Sequence, residues 1–152
     1  MTKHLANEMV SEVMNPYLIT VDPYQSLAEA YELMKKNHIR RLPVVKEGKL
    51  VGIITLADIL NAKPSDVSHA MSFEKVAASL SQIIVELVMS DELVTIYQTD
   101  TLGHAAELMM ENKIGGLPVL DARHELIGLI TESDIFRKLA HQWRDDTLEQ
   151  SG

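Results

Sequence analysis

Gly52-Ile53-Ile54-Thr55-Leu56-Ala57-Asp58 returns later in the chain as Gly128-Leu129-Ile130-Thr131-Glu132-Ser133-Asp134. In both places a short apolar run, of strand length, ends at a Thr that an Asp follows three residues on. That is the pattern of a buried strand feeding a capped helix. Met14 and Met89 stand 75 positions apart, and the same offset holds from Val10/Val85 to Lys49/His124. One extra residue in the second copy makes the offset 76 from Leu50/Leu126 to Leu60/Phe136. These 51 aligned positions carry 21 identities, among them Leu18/Leu93, Thr20/Thr95, Leu27/Leu102, Ala30/Ala105, Asn37/Asn112 and Leu42-Pro43-Val44/Leu117-Pro118-Val119. Unrelated segments would share only a few, so the chain is a duplication.

Each copy reads as β-α-β-β-α, an α/β (α+β) fold class. Leu18 to Val21 is a β-rich segment closed by the turn residues Asp22-Pro23. Ser26 and Glu29 form a capping box, and Leu27, Ala30, Leu33 and Met34 give the following helix one apolar face. Val44-Val45 and Leu50 to Ile54 are strands around the turn Glu47-Gly48-Lys49, and Thr55 opens a second helix. The second copy repeats the plan from Leu93 to Phe136, without the first capping box because His104 stands where Glu29 does.

The chain is expected to divide into residues 1–62, the first repeat with its lead-in, 63–84, an inter-repeat helix, 85–138, the second repeat, and 139–152, a polar tail that extends the last helix and then frays. The inter-repeat helix follows a stop at Lys63-Pro64, with Ser65 or Asp66 as its cap and Val67, Ala70, Met71, Ala77, Ala78 and Leu80 as its apolar face.

Composition narrows the function classes. The 152 residues carry 14 Lys and Arg against 22 Asp and Glu, a net charge of −8, which lacks the broad basic footprint of a nucleic-acid binder. With no cysteine, the described chemistry includes no disulfide, thiolate nucleophile or cysteine-held metal. MTKHLANEMV has no apolar signal region, and the apolar stretch from Ile83 to Met89 is too short to span a bilayer, so the expected address is cytoplasmic, without a membrane. The six histidines show no metal-ligand spacing, and no G-x-S-x-G, P-loop or G-x-G-x-x-G occurs. No constellation suits catalysis, so the chain is expected to be no enzyme and to use no catalytic cofactor.

The two Thr-x-x-Asp sequences are the remaining candidates. Capping alone accounts for them, and duplication copies caps. Yet the free N–H groups of a helix start attract anionic oxygen. A carboxylate beside them repels bare phosphate and accepts both hydroxyls of a ribose, a combination suited to a nucleoside or nucleotide.

The repeated unit, the Leu-Pro-Val after the first helix and the closing Gly-h-h-Thr-x-x-Asp-Ile resemble a tandem pair of CBS domains, a Bateman module, from Val10 to about Phe136. The resemblance implies two pseudo-symmetric repeats packed through their sheets, with clefts for AMP, ADP, ATP or S-adenosylmethionine. It implies a regulatory, energy-sensing module that signals by conformational change to a partner protein, and a homodimer. The inter-repeat segment is also similar to acetoin-utilisation regulators. In the family pattern the Asp binds ribose, and residues before Leu-Pro in the other repeat face the phosphates. Carried over, the primary cleft comprises Thr131, Asp134 and Thr95 with His38, Arg40 and Arg41, where two guanidiniums suit phosphate. The secondary cleft comprises Thr55, Asp58 and Thr20 with Lys113, Gly115 and Gly116, and brings no guanidinium. The competing expectation is a dimeric scaffold of the same fold with empty clefts.

Overall fold

The computed structural model describes residues 4–63 and 73–152. The predicted helix restart at Pro64, the Ser65 or Asp66 cap, and Val67, Ala70 and Met71 lie outside the described residues. In chain order the elements are α1 (Val10–Val13), α2 (Leu27–Asn37), β1 (Arg41–Lys46), β2 (Lys49–Thr55), α3 (Leu56–Asn61) and α4 (Phe73–Leu80). They continue with β3 (Ile96–Tyr97), α5 (Leu102–Asn112), β4 (Gly116–Leu120), β5 (Leu126–Thr131) and α6 (Glu132–Gln150). The chain forms two compact units: a central one, Ile19–Leu93, and a split one made of Met1–Leu18 with Val94–Gly152.

In the central unit β1 and β2 form an antiparallel hairpin, with Arg41 opposite Thr55 and Lys46 opposite Lys49. Glu47 and Gly48 turn it with positive φ at both positions, the twist a two-residue hairpin favours. The expected first strand shrinks to Val21, whose N–H donates to the Pro43 carbonyl and whose carbonyl accepts from Val45 N–H. The next amide, of Asp22, is taken by the Gln25 side chain at 2.9 Å, so the turn begins at once. Ser26 and Glu29 make the predicted capping box of α2. In the split unit β3 runs parallel to β4, and β4 pairs antiparallel with β5. There Thr101 caps α5 by accepting from His104 N–H at 3.2 Å, with no reciprocal bond, as the missing Glu predicts. The tail extends the last helix as predicted, but the expected fraying is not seen: α6 runs unbroken to Gln150.

The two cores use equivalent positions. Val21, Leu27, Ala30, Met34, Leu42, Val44 and Ile54 are buried in one, and Ile96, Leu102, Ala105, Met109, Leu117, Val119 and Ile130 in the other. The lead-in arms, however, are exchanged relative to the sequence repeat. Val85, from the second copy, is buried in the central unit, and Val10, from the first, in the split unit. Each arm lines the open edge of a strand: Ser90 and Ile53 exchange backbone hydrogen bonds, as do Asn15 and Leu129.

Two glycines make this approach possible. A Cβ on Gly52 would stand 2.5 Å from Met89 Sδ, and one on Gly128 would stand 2.6 Å from Met14 Sδ. The repeated Met and the repeated Gly are therefore two sides of one contact, made between arm and strand. Met is suited to it because an unbranched thioether follows an irregular surface.

Candidate functional site

Strand β2 delivers Thr55 in extended backbone, φ −112° and ψ 161°, at the start of α3. Thr55 Oγ1 accepts from Asp58 N–H at 3.1 Å, and Asp58 Oδ2 accepts from Thr55 N–H at 2.9 Å. The box holds the carboxylate over the helix start while leaving its Oδ1 without a hydrogen bond among the described residues. The loop before Leu42-Pro43 lies against the same helix: Leu56 N–H donates to the Arg40 carbonyl at 2.8 Å, and Arg41 pairs with Thr55 across the hairpin. Thr20 is exposed one residue before the Val21 bridge, and Arg40 is exposed too.

The split unit repeats this. Thr131 Oγ1 accepts from Asp134 N–H at 3.3 Å, and Asp134 Oδ2 accepts from Thr131 N–H at 2.9 Å and from Thr131 Oγ1 at 3.0 Å. Glu132 N–H donates to the Gly115 carbonyl at 3.1 Å, and Gly116 pairs with Thr131. Thr95 stands directly before β3, half-buried. One feature differs: Arg137 Nη1 donates to Asp134 Oδ1 at 3.2 Å, and its equivalent in the first copy is Asn61. The Arg137 side chain is 64% exposed, so the pair contributes under about 1 kcal/mol.

The predicted residues thus fall into two groups. The central unit holds Thr20, His38, Arg40, Arg41, Thr55 and Asp58; the split unit holds Thr95, Lys113, Gly115, Gly116, Thr131 and Asp134. Each predicted cleft draws on both units. Within a unit, the structure brings the arginine loop beside Thr55 and the glycine loop beside Thr131.

His38 and Lys113 close α2 and α5 in left-handed backbone, each with φ 54°. Non-glycine residues rarely adopt this conformation, so two equivalent charged or titratable side chains are held there at a cost. The preceding asparagines explain their own repetition: Asn37 Nδ2 donates to the Leu33 carbonyl and Asn112 Nδ2 to the Leu108 carbonyl, both at 2.8 Å. Neither the left-handed caps nor the Arg137 contact was read from the sequence. The i,i+3 spacing of Asp134 and Arg137 on one helix was the available signal for the second.

Chemically, each helix start offers a carboxylate acceptor anchored by its own cap, a threonine hydroxyl and nearby backbone. Among the described residues no three His, Asp or Glu side chains group as a metal site, and no helix is long and apolar enough to cross a membrane.

The chain is similar to several known proteins. The chain is 34% identical over 134 residues to protein MJ1225 of Methanocaldococcus jannaschii, covering 88% of this chain and 48% of that one. It is 30% identical to a homoserine O-acetyltransferase of Methanosarcina acetivorans, covering 86% of this chain and 22% of that enzyme. The chain therefore spans about half or less of the length of these relatives. Among solved structures, MJ1225 superposes with a TM-score of 0.74 at 33% identity, covering 88% of this chain and 48% of that one. The CBS domain pair of protein MJ0100, in complex with 5′-methylthioadenosine and S-adenosyl-L-methionine, gives 0.72 at 29% identity, covering 89% and 98%. CBSX2 in complex with AMP gives 0.73 at 28% identity, covering 88% and 97%. The profile described as CBS domain matches residues 10–65 and again 83–141. The chain belongs to the CBS-domain family, as a tandem pair of that domain.

Proposed function

We propose that this chain is a regulatory module that binds an adenine nucleotide, AMP, ADP or ATP, or S-adenosylmethionine, and passes the bound state to a partner protein. The observation that carries the reading is the duplicated helix start, a carboxylate clamped by its own threonine in each unit. The adenosine ligands of the similar MJ0100 and CBSX2 pairs support it. Asp58 and Asp134 accept the ribose hydroxyls. His38, Arg40 and Arg41 supply the phosphate contacts for the ligand on Thr131, Asp134 and Thr95, the primary cleft. Thr55, Asp58 and Thr20 with Lys113, Gly115 and Gly116 form a secondary cleft for a ligand of lower phosphate charge.

A second assignment has its own support. Because Arg40 and Arg41 adjoin Thr55 within one unit, the guanidiniums serve the ligand on Asp58 instead. In both assignments the role is regulation without catalysis, in the cytoplasm, with energy sensing where the ligand is a nucleotide phosphate. Signalling requires only that the ligand bind two arrangements of the protein with different affinity.

Calorimetric titration with AMP, ADP, ATP, S-adenosylmethionine and NAD tests this on the wild type, Asp134→Ala and Asp58→Ala. Saturable binding lost in Asp134→Ala supports the primary cleft as first assigned. Loss in Asp58→Ala alone supports the second assignment. Silence with all five ligands from folded protein overturns the sensor reading and favours a ligand-free dimeric scaffold.

A further inference from the structure

Protein interiors pack to the density of organic crystals, and voids larger than a water molecule are few in a domain. The central unit keeps a partly enclosed cavity of about 210 Å³ between α2, α3 and α4. Its apolar walls are Ala28 of α2, Leu60 of α3, and Val76, Ala77 and Leu80 of α4. Leu80 is buried in the core and holds the end of α4 there. Just beyond it, Leu27 N–H donates to the Ile83 carbonyl and Val85 N–H to the Gln25 carbonyl, both at 2.8 Å. The exit of α4 is thus tied to the head of α2, while Ala28 and Ala77 are too small to fill the space the helices enclose. An apolar void of this size is destabilising while it stays empty.

Three polar side chains border the same cavity: Tyr31, Glu32 and Lys63. Among the described residues none of the three makes a side-chain hydrogen bond or an ion pair, and Glu32 and Lys63 do not pair with each other. A sphere of this volume is about 7 Å across, so one small molecule reaches every wall. A lone carboxylate there would face Glu32, and a lone amine would face Lys63, each setting like charges together. A molecule with both charges at one end and an aliphatic body at the other meets the whole lining. The Tyr31 hydroxyl adds a donor for its carboxylate. That chemistry is an α-amino acid.

Size narrows the class. An apolar cavity of about 150 Å³ takes up benzene, so 210 Å³ suits an amino acid of leucine size. It falls below the roughly 300–1,000 Å³ of sites for larger ligands, which leaves no room for a nucleotide. The duplication sets the cavity apart as well. The counterparts of Tyr31 and Leu60 are Ala106 and Phe136. Where the central unit has α4 ahead of its arm, the split unit has, among the described residues, the single turn Leu5–Asn7. The clamped carboxylates are copied, and this lining is not.

From these observations we infer that the central unit binds an aliphatic α-amino acid of leucine size between α2, α3 and α4, with its carboxylate on Lys63, its ammonium on Glu32 and its side chain against Ala28, Val76 and Ala77. The inference goes beyond the nucleotide reading and does not depend on it, since no residue of the cavity belongs to either cleft. For a ligand of about nine non-hydrogen atoms, ordinary efficiency gives a dissociation constant between about 10 µM and 1 mM.

Calorimetry on the full chain tests it with leucine, isoleucine and valine, and with 4-methylpentanoate and 3-methylbutylamine, which lack the ammonium and the carboxylate of leucine. The expected result is saturable binding of at least one of the three amino acids in that range, with leucine at least tenfold tighter than either single-charge analogue. Lys63→Met and Glu32→Gln, at half-buried and exposed positions, each weaken the binding at least tenfold while the thermal midpoint of the free protein stays put. Ala77→Leu fills the cavity and abolishes binding, and the two charge variants carry the test where the larger side chain disturbs α4. Folded wild type that binds none of the three amino acids up to about 10 mM overturns the inference. So does 4-methylpentanoate or 3-methylbutylamine binding as tightly as leucine. Binding that survives Lys63→Met and Glu32→Gln also overturns it, because the ligand then sits elsewhere.

Discussion

Replacing Gly52 by Ala tests the exchange of arms. The added Cβ would stand 2.5 Å from Met89 Sδ, 3.1 Å from Met89 Cγ and 3.0 Å from the Ser90 carbonyl. The first distance is about 1 Å or more inside the roughly 3.5–4.0 Å at which non-bonded atoms rest, so the thioether must leave its seat. Over-packing of this kind costs about 1–3 kcal/mol. Met89→Ala alone, at a half-buried position, costs about 1–2 kcal/mol from lost burial. In the double variant the new methyl enters the space the thioether vacates, while the Ser90 carbonyl still crowds it. The two costs therefore fail to add, with a coupling of about 1–2 kcal/mol. Urea denaturation of the wild type, both single variants and the double variant measures this. The same cycle run on Gly52 and Met14 should add within about 0.5 kcal/mol, because Met14 lies against Gly128. Coupling of Gly52 to Met14 rather than to Met89 would refute the arm exchange outright.

Other outcomes follow from local geometry. His38→Gly and Lys113→Gly each relieve a left-handed cap and should raise stability by up to about 1 kcal/mol in thermal or urea melts, while weakening nucleotide phosphate binding. Thr55→Ala and Thr131→Ala each remove a cap acceptor and should cost about 1 kcal/mol, read from the urea midpoint. Arg137→Ala should change stability by less than about 1 kcal/mol, since the ion pair it breaks is largely exposed. Leu42→Ala and Leu117→Ala, fully buried at equivalent places, should each cost about 2–5 kcal/mol.

Much of the fold is legible in the sequence because the duplication shows each element twice. Ser26/Glu29, Thr55/Asp58 and Thr131/Asp134 cap helices as their spacing predicts. The paired apolar positions from Leu27/Leu102 to Ile54/Ile130 are the two cores. What the sequence conceals is long-range. Val10 and Val85 look like the start of their own copies, and no local pattern says that each arm packs on the other's strand. Gly52 and Gly128 mark a close approach without naming Met89 and Met14 as what approaches. Of the candidate site, the caps are legible because they are local. The left-handed backbone at His38 and Lys113 is set by the sharp exit from a helix into a strand, and side-chain type gives no hint of it. In the tail, the helix itself is legible but not its persistence to Gln150, because its apolar residues lie on one exposed stripe rather than on a core-facing side.

The central claim is that the clamped carboxylates hold a nucleoside through its ribose. The most direct measurement is the affinity of the wild-type protein for AMP against that for its 2′,3′-dideoxy analogue, by calorimetry under one buffer condition. A hydrogen bond to a charged acceptor is worth about 1.5–3 kcal/mol, so the account predicts that the analogue binds at least tenfold more weakly. Equal affinities for the two, or no binding of either by the folded protein, would contradict it.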